Sequence, residues 1–102
     1  MPYFMFRGYD GDHGGRIRAD IRPAHRAYIR IPQDGCKVVA GGVLMADDRS
    51  KMIGTLLILD AKDREAAAVF IGGDPYSKAG LFTSYDLIVW DWVLGVPDLE
   101  KT

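Results

Sequence analysis

Apolar residues in this chain fall into short, dense runs separated by charged or glycine-rich breaks. Residues 3–9, "YFMFRGY", read as an aromatic-rich strand. "DGDHGG" at 10–15 is a loop, and residues 16–21 form a helical turn leading into a main helix over 23–34. Pro23 suits the first helical position, where its missing N–H has no partner to lose. Gly35 closes that helix. Residues 36–46 read as a second strand with a kink at Gly41-Gly42, 47–51 as a turn, and 52–61 as a third strand. Asp63 caps a second helix that stops at Gly72-Gly73. "DPYSKAG" (74–80) predicts a one-turn helix with Asp74 as cap, Pro75 first and Gly80 at the end. Residues 82–94 predict a long last strand. The order predicts one α+β domain over 1–102, a ferredoxin-like βαββαβ sandwich with a four-stranded antiparallel sheet and both helices on one face.

The strands do not alternate cleanly. Met5 opposes Phe4 and Phe6, Leu56 and Ile58 oppose Leu57 and Leu59, and Ile88, Trp90 and Trp92 oppose Leu87 and Val89. A sheet with one wet face should alternate apolar and polar. The helix-free face therefore needs a cover, and a second copy packed sheet to sheet as a homodimer supplies one. Trp90 and Trp92 are the expected anchors.

Composition narrows the partners. The chain has 102 residues, 48% hydrophobic and 26% charged, with a net charge of −1. That balance argues against nucleic-acid binding by bulk electrostatics. No apolar run approaches the ~20 residues of a membrane span, and the start lacks a secretory pattern. The one cysteine, Cys36, excludes an internal disulfide and fits a reducing cytoplasm. It reads as a small core residue.

Chemistry concentrates at two places. On the main helix Ala24, Ala27, Tyr28 and Ile31 mark the expected core face, and Arg22, Arg26 and Arg30, each four apart, the solvated one. His25 falls on the seam. Partial burial, the neighbouring arginines and a helix N-terminus all favour the neutral imidazole, a proton acceptor. The plain alternative is a structural histidine. Asp74 has an equally plain reading as a helix cap, although a cap carboxylate keeps a second oxygen for another partner. Asp10, Asp12 and His13 hint at a metal, but the later glutamate of a calcium loop is missing, so a solvated loop is expected. "GGDPYSKAG" lacks the Lys-Ser/Thr pair of a phosphate loop.

"IRPAH", the "GG" of the second strand, "MIGTLLI", "DREAAAVFIGGDPYSKAGLF" and the tryptophan-rich end together resemble the YCII family along nearly the whole chain. The resemblance implies a dimeric α/β-barrel type of ferredoxin-like fold and a His–Asp pair in a pocket. By motif, these are His25 and Asp74. It further implies a lyase of the dehydrochlorinase kind, or an isomerase, acting on a small cyclic or hydroxylated aromatic substrate. His25 would be the general base and Asp74 its orienting partner, with Arg22, Arg7 and Tyr76 binding substrate. No cofactor or metal is called for, and no nucleic acid or membrane. Two departures stand out: Val43 where a proline often follows the glycine pair, and Asp91 where a basic residue is common. The alternatives are a non-catalytic dimer that binds a small metabolite or a protein, and a purely structural role for both residues.

Overall fold

In the computed structural model, which describes residues 2–96, the chain folds as β1 (Tyr3–Asp10), α1 (Gly14–Ile29), β2 (Cys36–Met45), β3 (Met52–Ala61), α2 (Arg64–Gly73), α3 (Pro75–Lys78) and β4 (Phe82–Trp90). The strands form one antiparallel sheet in the order β2-β3-β1-β4. This is the expected ferredoxin-like α+β arrangement. Phe4 and Phe6 of β1 and Leu57 and Leu59 of β3 point to the same face. There they form the core with Ala67, Phe70 and Ile71 of α2, and Tyr28 and Ile29 of α1 pack against it.

Three local readings need correction. First, α1 starts at Gly14, so Pro23 lies inside the helix, on its exposed outer face. An internal proline costs a helix about 3 kcal/mol. The helix persists because a continuous inward stripe, Gly14, Arg18 and His25 with Tyr28 and Ile29 beyond, holds it against the sheet and α3. Second, the helix stops at Ile29 rather than near residue 34. Pro32 disfavours helical backbone at the residue before it, and Ile31, expected in the core, is 60% exposed. Ala24 and Ala27 are exposed too. Third, β4 ends at Trp90. Its partner strand β1 starts at Tyr3, paired with Trp90, so Asp91 and later residues have no ladder to join.

The second helix behaves as read. Asp63 accepts a hydrogen bond from the Ala66 amide at 2.8 Å, and Gly80, at φ 76°, closes α3. The end of α2 is fixed by a close approach. The Tyr28 hydroxyl donates to the Phe70 carbonyl at 2.7 Å, and a Cβ at Gly73 would lie 2.5 Å from that hydroxyl. Only glycine lets α1 press so tightly on the residue preceding Asp74.

Cys36 is buried at the start of β2, and burial pushes its thiol up to about 11, with the Asp60 charge adding to the shift. A neutral, buried thiol is a poor nucleophile. The native protein should therefore alkylate far more slowly than the urea-unfolded chain at pH ~8. The rate should climb as pH rises towards 11. Equal rates in both states would contradict the burial.

Candidate functional site

α1 and α3 meet over one end of the sheet, and their meeting point carries the polar residues. Asp74 joins α2 to α3, with extended backbone that closes one helix and opens the other. Pro75 takes the first helical position, and Asp74 Oδ1 accepts from the Tyr76 amide at 3.0 Å. So the capping role is real. It coexists with a second role, because His25 Nδ1 lies 2.8 Å from Oδ1 and 2.9 Å from Oδ2 of the same carboxylate. The two residues stand 49 positions apart in the chain.

Both are buried, His25 at 7% exposure and Asp74 at 1%. His25 is thus deeper than the seam position expected, and it sits mid-helix, away from the positive end of the helix dipole. What governs it is the carboxylate. An ionised Asp74 can only accept, so Nδ1 carries the hydrogen and Nε2 of the neutral ring is left with its lone pair. Nε2 has no hydrogen-bond partner among the described residues, and the ring lines a cleft. Tyr76 stacks on the imidazole, with ring centroids 4.0 Å apart and planes 18° from parallel. The ring therefore has a fixed plane, a fixed tautomer and one free nitrogen.

Below Tyr76 lies a network that the spacing of residues does not announce. Arg18 is 2% exposed and grips Asp10 with two bonds, Nε to Oδ2 at 2.7 Å and Nη2 to Oδ1 at 2.9 Å. Nη2 also donates to Thr55 Oγ1 at 2.8 Å. The guanidinium carbon lies 5.2 Å from the centre of the Tyr76 ring. Asp10 is therefore no part of a solvated loop; it turns inward and holds Arg18 in place. Apolar periodicity overlooks an arginine on the inward stripe. The available signal is the seven-residue interval from Arg18 to His25, two turns on one face.

The cleft runs between α1 and the β2–β3 edge and has a volume of about 760 Å³, suited to a small molecule. Arg22, Arg26 and Arg30 line the helix side, and Val38, Gly41, Gly42, Val43 and Leu57 the sheet side. Arg22 and Tyr76 thus fall beside His25 as expected. Arg7 does not. It alternates with Phe4 and Phe6 on β1, faces the helix-free side and pairs with Asp86 at 2.7 Å, which keeps its charge firmly on. Strand parity excludes it from this cleft. Val43 is in the cleft wall, so that departure alters the site itself. Asp91 is not a lining residue. No group of three or more His, Cys, Asp or Glu side chains able to hold a metal occurs among the described residues. No helix among them is long and apolar enough to cross a membrane.

Fold and pair together define a ferredoxin-like α+β protein with a buried His–Asp pair beside a cleft. The YCII-related domain matches residues 1–91, and the chain belongs to the YCII family. Among solved structures it is similar to a dehydrochlorinase of 5-chloro-2-hydroxyhydroquinone from Burkholderia phenoliruptrix AC1100, determined with 2,5-dihydroxybenzoquinone bound. That likeness has 27% identity and a TM-score of 0.75, over 87% of this chain and 93% of the other. A variant of SnoaB, a cofactor-independent oxygenase from Streptomyces nogalater, shares the fold at 16% identity and TM-score 0.55, over 92% and 96% of the two chains. No curated protein sequence matches.

Proposed function

We propose that the protein is a small lyase or isomerase that uses His25 as general base on a hydroxylated aromatic or other small cyclic substrate. The contact between His25 Nδ1 and Asp74 at the foot of the cleft carries this reading. It leaves Nε2 free to take a proton. In an elimination, Nε2 removes an acidic O–H or C–H proton, the released pair moves into the ring, and a leaving group such as chloride departs with its bonding electrons. HX is lost overall, and no oxidant is consumed. In an isomerisation, the imidazolium returns the proton to a different atom. Asp74 stabilises the imidazolium between the two steps, and Arg22, beside it in the cleft, steadies the phenolate or enolate. The similarity to a dehydrochlorinase favours elimination.

The test is chloride release and absorbance change with chlorinated hydroxyhydroquinones, comparing the native protein with His25→Asn. Turnover that disappears in the variant supports the reading. Tight binding without turnover in the native protein would replace it with a recognition pocket for a small metabolite.

We also propose that the helix-free sheet face pairs with a second copy, in the cytoplasm, where a free Cys36 is stable. Met5, Leu56, Ile58, Ile88 and Trp90 share that face by register, and Ile88 is 48% exposed. On the same face Asp60 is buried, and its Oδ1 has no hydrogen-bond partner among the described residues. An unmet carboxylate oxygen is costly unless a neighbour supplies a donor. Sedimentation equilibrium at micromolar concentration should give twice the mass of one chain; a clean monomer would refute the pairing.

A further inference from the structure

The charge of the cleft exceeds what a phenol requires. Four arginines line it, Arg18, Arg22, Arg26 and Arg30, and no Asp or Glu does, although the chain as a whole carries a net charge of −1. Arg18 is answered by Asp10. Arg30 folds back to donate to the Arg26 carbonyl at 2.8 Å. Arg22 and Arg26 remain. Arg22 is half-buried, and its one hydrogen-bond contact among the described residues is Nη2 to the Met52 sulfur at 3.2 Å, a weak acceptor for a cation. Arg26 has no carboxylate partner among the described residues. The two are spaced i, i+4, so like charges face each other along the helix at a cost to the free protein. Opposite them, Val38, Gly41, Gly42 and Val43 offer an apolar wall, low at the glycines.

We infer that this cleft takes a planar ring bearing a permanent carboxylate, held by Arg22 and Arg26, in addition to the hydroxyl presented to His25. The orientation of that ring rests on the reading of His25 as the base. The carboxylate subsite itself rests on the arginines alone. An uncompensated positive wall beside a low-dielectric one concentrates anions, and guanidinium–carboxylate bonds are among the stronger hydrogen bonds available.

The test is a matched set of ligands: gentisate, its neutral methyl ester and hydroquinone, titrated by NMR on the backbone amide resonances of Gly41 and Gly42 in the cleft wall. Gentisate should bind at least about tenfold tighter than the methyl ester, a gap that narrows with added salt. Arg22→Gln and Arg26→Gln should each shrink the gap, and Arg22→Lys should keep part of it. Arg26 is exposed, so its replacement leaves the fold intact. Equal affinity for acid and ester, an unchanged gap in both glutamine variants, or no binding of any of the three at millimolar concentration would overturn the inference. His25→Asn separates the two ideas. Lost turnover of the proposed substrates with the gap retained supports both. A native protein that shows the gap but never turns over keeps the carboxylate subsite and loses the lyase. Turnover without the gap does the reverse.

Discussion

Alanine at His25 should lower kcat on the proposed substrates by ~10²–10⁴, the usual share of a positioned general base. The loss should fall on kcat rather than KM, because Nε2 acts on the proton in transit and the arginines and the apolar wall do most of the binding. Steady-state kinetics on the native protein and the variant measure both parameters. In kcat, Asp74→Asn should sit between those two proteins. It retains a side chain able to accept from the Tyr76 amide, but its neutral amide neither fixes the tautomer firmly nor stabilises the imidazolium. Stability should fall by about 1–3 kcal/mol in His25→Ala, since Asp74 keeps its capping bond at 3.0 Å but its other oxygen, on a side chain 1% exposed, loses its partner. A variant that folds and yet retains full kcat would remove His25 from the chemistry.

The larger effect on stability belongs to Arg18. Arg18→Met should destabilise the fold by ~3–5 kcal/mol, because it strands the Asp10 carboxylate, whose side chain is 7% exposed, without its cation. In a chain this short that corresponds to a fall in Tm of more than about 10 °C. Pairing Arg18→Met with Asp10→Asn should recover most of the loss, since a buried pair replaced on both sides is nearly neutral. Urea titration of the two singles and the double closes the cycle. If Arg18→Met alone costs under about 1 kcal/mol, the network is not buried as described. Activity gives a second readout. Arg18 lies under Tyr76 and Tyr76 on His25, so the double variant should fold but turn over slowly.

Element order, the capped α2 and α3, and the inward side chains of β1 and β3 could all be read from residue patterns, because each follows a local rule of period or capping. So could the two residues of the central pair, through their motifs. Their contact could not be seen, since it depends on how α1 docks on α3. Helix α1 resisted reading most. Pro23 looks like a beginning and Gly14-Gly15 like a loop, yet docking of the whole inward stripe outweighs both signals. The same stripe carries Arg18 and His25 where periodicity expects aliphatic residues, which moved the predicted core face to Ala24, Ala27 and Ile31 and hid the Asp10–Arg18–Thr55 network. Arg7 was misplaced for a different reason: its charge suggested a binding role, whereas strand parity puts it on the far side of the sheet.

The 49-residue separation between His25 and Asp74 also bears on how the pair is assembled. Neither helix can make it alone. The contact closes only after β2, β3 and α2, which lie between the two residues, have been laid down and α1 has seated against Gly73. During synthesis on the ribosome, a nascent chain that ends short of residue 74 carries an imidazole with no tautomer imposed on it. The oriented imidazole is thus a product of completed assembly, and a chain that ends before Asp74 cannot hold it.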